Sequence, residues 1–374
     1  MIKILAVLLA VLMLTSCGSR VTTETLDGYE ESSAVYVFSN LYNNGEFYED
    51  GERLAYIDFT TMAYTYICSK PNCLHNDSDE CTAYGITNHP VAVNGGLYYF
   101  VQETITNSDG LPQNNLVAYS ASIDGSNRRK VTTAENIELY HSEKALLVGT
   151  SLYFVGTESE FDVVNFIATG NETFNLYRFD YSTESFYCLG ELDSGYDGGT
   201  TIYGEYNCKI YLTENALDEP WDEKWEDFDY MMEHWDEFTA LYENHYCCYD
   251  IASESFADWD MPGSDDSYDN FVVGNGYFIT ISGTTVTVFD SKGNESIYEN
   301  FTPLGMSTYS VVNDMLFSGG ADRECINLKT GKRYTVSDYD GWVVWYLDGS
   351  YVIRQDDGYV KIAEDELIGE ETNQ

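Results

Sequence analysis

The chain has 374 residues, and 63 Asp and Glu against 18 Lys and Arg leave it a formal charge of −45. Such a surface repels a phosphate backbone and an anionic lipid face alike, which excludes nucleic acid as a partner and electrostatic docking as a route to membranes. The length exceeds the needs of a small module and suits one closed repeat architecture built as a single unit.

The chain opens with one positive charge, Lys3, and an apolar run to Leu14 that is too short to span a bilayer as a mature helix. Residues 1–16 therefore read as a signal peptide. The stretch Leu14-Thr15-Ser16-Cys17 resembles the lipobox of bacterial lipoproteins, in which the cysteine thiol takes a diacylglycerol before cleavage. The resemblance implies that Cys17 becomes a lipidated N-terminus. The protein would then be anchored to the cell membrane on its extracytoplasmic face without spanning it, each buried methylene contributing about 0.8 kcal/mol. Residues 17–33 are small and polar with no hydrophobic period, which suits a flexible tether. The globular part is expected over 34–371, with a short tail at 372–374.

A strand-like segment then recurs along the chain as Leu97-Tyr-Tyr-Phe-Val101, Leu152-Tyr-Phe-Val155, Ile210-Tyr-Leu212, Tyr277-Phe-Ile-Thr-Ile281, Met315-Leu-Phe317 and Tyr351-Val-Ile353. Most copies follow an Asn or Gly turn. Each is followed by a hairpin with a polar turn, at Asp124, Asp180, Asp250, Asp290 and Asn327, where short side chains satisfy local backbone groups. Ile57-Asp-Phe-Thr-Thr-Met is a degenerate first copy, and Gly358 to Leu367 a weak last one. Short antiparallel strands at regular intervals predict an all-β fold, a single β-propeller of seven blades, with six or eight as the neighbouring counts. Val35-Tyr-Val-Phe38 is the expected N-terminal strand.

The lipobox, the Gly-Gly-Leu-Tyr-Tyr-Phe strand, the Ile-Asp-Gly-Ser-Asn hairpin and the loop Cys68-Ser-Lys-Pro-Asn-Cys73-Leu-His75 with its trailing Cys81 together resemble a family of bacterial propeller lipoproteins. That family is described as low-density-lipoprotein-receptor-like or TolB-like. The resemblance spans most of the mature chain, and the cysteine loop is its specific part. It implies a propeller fold and a membrane anchor, and brings no activity with it.

One stretch breaks the repeat. Over 218–246 the apolar residues, Trp221, Trp225, Phe228, Met232, Trp235 and Phe238, recur every three or four positions, which predicts an acidic amphipathic helical insertion. Its aromatic stripe either docks on the propeller or, through Trp221, Trp225 and Trp235, meets a partner.

Cys68, Cys73, His75 and Cys81 are the ligand types and the number that zinc takes in a closed tetrahedral site. A single residue between Cys73 and His75 is tight spacing for such a knuckle. A disulfide among the three cysteines, or free thiols, are the other readings. Cys248 and Cys325 share one repeat position, where another copy has Val288, and are expected in the core. A bridge between Cys188 and Cys208 is a further option.

No nucleophile elbow, phosphate loop or His-Glu-x-x-His motif is present, and His89, His141, His234 and His245 are scattered. The leading reading is thus a non-catalytic, lipid-anchored, monomeric propeller that binds a carbohydrate or protein ligand. A glycan-cleaving hydrolase or lyase and an extracytoplasmic metal-binding protein are the rivals.

Overall fold

Alternating side chains give each short strand two apolar faces. In a propeller both faces are used, because each sheet is covered by a neighbour on either side. The computed structural model describes residues 42–372 apart from 77–79, 87–89, 109, 111, 140–144, 163–166, 193–199, 218–222, 227, 235–236, 239–240, 259–269, 302–308, 319–323, 338, 340 and 356–357. Cys17 and Val35 to Phe38 lie outside the described residues. Seven antiparallel sheets follow one another, at 45–66, 91–134, 138–192, 201–258, 270–298, 309–336 and 342–363, and we number them as blades one to seven. The fold is a seven-bladed β-propeller.

The ring is legible in its core. Among the described residues there are seven apolar clusters, and each sits between two successive blades, including one between the last and the first. Adjacent residues of one strand serve opposite seams. Val272 packs toward blade six and Val273 toward blade four, while Val311 packs toward blade five and Val312 toward blade seven. Paired valines buried side by side, which look like a broken alternation in sequence, are the mark of a strand covered on both faces.

The recurring turns close as their composition predicts. Oδ1 of Asp180 accepts the backbone N–H groups of Ser182 and Thr183, Oδ1 of Asp250 those of Ala252 and Ser253, and Oδ1 of Asn327 those of Lys329 and Thr330. Asp58 does the same for Thr60 and Thr61, so the degenerate first copy is real. That turn separates the third and fourth strands of the other blades. The three described strands of blade one therefore occupy the second to fourth places, and Ala63–Tyr66 is an outer strand.

The ring closes where blade one meets blade seven. Ile57 and Phe59 pack against Val344, Trp345 and Val352, and Lys361 Nζ donates to Phe59 O at 3.2 Å. Glu46 is buried in this seam, at 2 % exposure, with Tyr359 Oη donating to its Oε2 at 2.7 Å and Arg354 Nη1 at 3.6 Å from its Oε1. Beyond blade seven the chain turns through a short helix, Glu364–Leu367, and the strand Ile368–Glu371 runs back to the outer edge of blade six.

The insertion differs from its expectation. Among the described residues the insertion is helical at a 3-10 turn Glu223–Glu226, at a short α-helix Phe228–Glu233 and again at Glu237 and Phe238, while Tyr242–Asp250, whose first residues were expected in the helix, is a strand paired with Lys209–Leu217. Like charges four apart weaken the acidic face of a long helix, and the backbone of 242–246 pairs instead with 213–217 as an extension of the blade-four hairpin. Trp221 and Trp235 lie outside the described residues. Trp225 is buried at 5 % exposure against Tyr230 and Phe238, so its indole is packed within the insertion.

Candidate metal centre

The connection from blade one to blade two, residues 67–90, is long beside that between blades six and seven, residues 337–341. It is a loop with a neck. Ile67 N donates to Leu54 O at 3.2 Å where the loop leaves, and Leu54 N donates to Ala83 O at 2.9 Å where it returns. One residue of blade one therefore holds both ends. Cys68 and Cys81 stand at this neck.

The tight spacing between Cys73 and His75 is resolved by the backbone. Lys70-Pro71-Asn72-Cys73 forms a turn in which Cys73 N donates to Lys70 O at 3.3 Å and Asn72 has φ 60°. Proline and asparagine at these two places are what a type II turn requires. His75 itself has φ 49°, a left-handed conformation that histidine adopts more readily than most residues. Two reversals so close together bring donors from both sides of Leu74 to one point.

The result is a cluster. Sγ of Cys68, Cys73 and Cys81 and a ring nitrogen of His75 all lie within 4.8 Å of one another, with Cys81 Sγ 3.7 Å from His75 Nδ1. Sulfur and nitrogen bound tetrahedrally to one zinc at about 2.3 and 2.0–2.1 Å stand roughly 3.5 Å apart, so the donors are already near their bound places. All three thiols are free. Burial pushes the Cys68 thiol up, but the Thr82 side chain, the backbone N–H groups of Lys70 and Thr82 and the Cys73 thiol outweigh it, and its pKa falls to about 6. A thiol held there is largely thiolate at neutral pH, the form a metal takes. Burial raises the pKa of Cys81, and the neighbouring thiols raise it further.

Surrounding groups hold the donors in place. Arg53 Nη1 donates to His75 O at 2.7 Å, and the Tyr66 ring lies 5.1 Å from the imidazole. Ser69 Oγ donates to Asp124 Oδ2 at 2.5 Å and Thr82 Oγ1 to Asp124 O at 2.6 Å, so the loop is moored to a turn of blade two. Arg128 Nη2 reaches Thr82 O at 2.7 Å across the same junction. A Cβ on Gly125 would lie 1.9 Å from Thr82 O, and Gly125 has φ +71°. Gly125→Ala is accordingly expected to cost about 1–3 kcal/mol of stability, read as a lower denaturant midpoint, with the loop displaced. An unchanged midpoint would contradict this mooring.

Cys248 and Cys325 are buried as expected, at 3 % and 0 % exposure. No disulfide joins Cys188 to Cys208, so the bridge considered from the sequence is not formed. His234 Nδ1 lies 2.9 Å from Tyr230 O at the end of the short helix, His245 is on the third strand of blade four opposite Glu214, and His89 and His141 lie outside the described residues.

No family model and no curated protein matches the sequence. Among solved structures the chain is similar to an oligogalacturonate lyase in complex with manganese, at 8 % identity over 84 % of this chain and 83 % of that one, with TM-score 0.46. It is also similar to BamB from Moraxella catarrhalis, at 10 % identity over 91 % and 90 % with TM-score 0.36. A third is the β-propeller domain of the Trilobed protease from Pyrococcus furiosus, at 12 % identity over 76 % and 93 % with TM-score 0.35. None of these likenesses carries chemistry over to this chain.

Proposed function

We propose that the chain is an extracytoplasmic binding protein, lipid-anchored through Cys17, whose first blade carries a structural zinc ion on Cys68, Cys73, His75 and Cys81. The observation that supports it is the convergence of four donor atoms within 4.8 Å at the neck of the loop. Four protein ligands fill a tetrahedral zinc and leave no open position for substrate or water, so the ion would fix the loop and not catalyse. The acidic surface and the lack of a catalytic motif fit a binding role better than glycan cleavage.

The mature protein, purified without added metal, should carry one equivalent of zinc by mass spectrometry of the native species, with Cys68, Cys73 and Cys81 protected from alkylation until a chelator is added. A disulfide among them, or full alkylation with no metal present, would refute the zinc site. For the anchor, Cys17→Ser should move the protein from the detergent phase to the aqueous phase while the propeller still folds. Persistent detergent partitioning would remove the lipoprotein reading.

A further inference from the structure

Beside the metal loop, between blades one and two, lies a wide-mouthed cavity of about 860 Å³ that opens to solvent. That is the size of a small-molecule site. Three tyrosines line it, Tyr42, Tyr56 and Tyr66, together with the carboxylates Asp58 and Asp124, and no Lys, Arg or His is among its lining residues. Tyr42 stands edge-on to Tyr56 at 6.4 Å and stacks on Phe47 at 5.8 Å, forming an aromatic floor. Asp58 uses Oδ1 to hold its turn, and its Oδ2 has no hydrogen-bond partner among the described residues. Burial raises the pKa of the Tyr56 phenol and the nearby Asp58 charge raises it further, so the phenol stays neutral beside the carboxylate.

Ring faces and an unpaired carboxylate attract the same kind of ligand, one with positive charge and some apolar surface. The formal charge of −45 enriches cations around the whole chain and repels anions. A uronate or phosphate would meet two carboxylates, and the neighbouring Arg53, 4.9 Å over the Tyr66 ring, is already engaged by Asp50 and the His75 carbonyl. A neutral sugar would gain nothing from the field.

We infer that the cavity between the first two blades binds a small organic cation, an amine or quaternary ammonium, held by Asp58 and the rings of Tyr42 and Tyr56 as Arg53 is held over Tyr66. A second step rests on the zinc reading. Tyr66 contacts the His75 ring, and Asp124 is hydrogen-bonded by Ser69 and Thr82, the neighbours of Cys68 and Cys81. Two walls of the cavity are thus fixed by the metal loop, and occupancy of either site should strengthen the other, since such coupling is reciprocal.

The test is calorimetric titration of the full mature protein with benzyltrimethylammonium, and with glucose and galacturonate as neutral and anionic controls. The cation should bind at millimolar concentration or below, and several-fold more weakly at 300 mM than at 50 mM NaCl. Asp58→Asn, which keeps the turn acceptor, should weaken it about tenfold, and Thr65→Trp, which fills the cavity from its exposed rim, should abolish it. Thr65→Ala should bind as the native chain does. No binding, binding of glucose in place of the cation, or cation binding untouched by Thr65→Trp would each overturn the inference, the last marking loose attraction to an acidic surface. Chelation of a chain shown to hold zinc should weaken the cation several-fold. Unchanged affinity there would overturn the coupling alone, and a chain that never holds zinc would fail the metal reading while the Thr65→Trp comparison still judges the cavity.

Discussion

Changing Cys68 and Cys81 together to serine should abolish zinc binding at the proposed site and open the neck of the loop. Two donors remain, His75 and Cys73, and two donors from one short segment hold zinc far more weakly than four. Bound zinc should fall from one equivalent to none, and cleavage by a nonspecific protease between residues 68 and 83 should quicken by more than tenfold. The far-ultraviolet spectrum should be retained, because the seam between blades one and two is built from Phe47, Leu54, Ile86, Ala92 and Leu97 and includes no residue of the metal cluster. A double variant that retained zinc, or a loop that stayed protected, would show that the four donors do not share an ion.

The second large effect is expected at the ring-closing seam. Burial raises the Glu46 carboxyl from 4.5 to about 7, against the opposing pull of Arg354 and the hydrogen bond from Tyr359. The folded chain therefore holds this proton more tightly than the unfolded chain does. The seam is at full strength below about pH 4.5 and weakens as pH rises through 7, by about 3 kcal/mol over the interval. Glu46→Gln keeps the shape and removes the charge, so it should be more stable than the native chain at pH 8, by up to about 3 kcal/mol less the lost attraction of Arg354. At pH 4.5 the two should agree. Arg354→Leu should be costly at pH 8 in the native background and nearly neutral in the Glu46→Gln background. Denaturant unfolding of the four chains at both pH values checks this, and a Glu46→Gln chain less stable at pH 8 than at pH 4.5 relative to the native one would reject it.

The architecture could be read from sequence because each repeat repeats its own chemistry. The Asp or Asn turn at 124, 180, 250, 290 and 327 reports local hydrogen bonds that need no tertiary partner, and the strand before it reports burial on both faces. Of the metal cluster, the residue types were legible and the geometry was not. Pro71-Asn72 announces a turn, whereas the left-handed backbone of His75 has no local signal. Placement of the strand Ile368–Glu371 was hidden for a different reason. Most of its side chains are exposed, and it is held by backbone pairing to Tyr334 and Val336, so no apolar pattern marks it. In the insertion, three-residue spacing favoured a helix, but spacing carries no information about the extended hairpin that flanks it and takes over 242–246. The cavity could not be read at all, since its walls come from two segments of different blades, 42–67 and 122–127.

The returning strand has a consequence for how the molecule comes into being. Its residues are synthesised after blade seven, yet they cover the edge of blade six, where Glu371 lies opposite Tyr334 and Thr372 N donates to Arg333 O at 3.0 Å. On the way, the helix buries Leu367 in the seam between those two blades. A nascent chain can therefore pair the described strands of its first five blades in order of emergence, but it cannot finish the sixth before the seventh exists. These two mature as a pair and, by the same connectivity, should open as a pair, so their amides ought to exchange with solvent as one cooperative block.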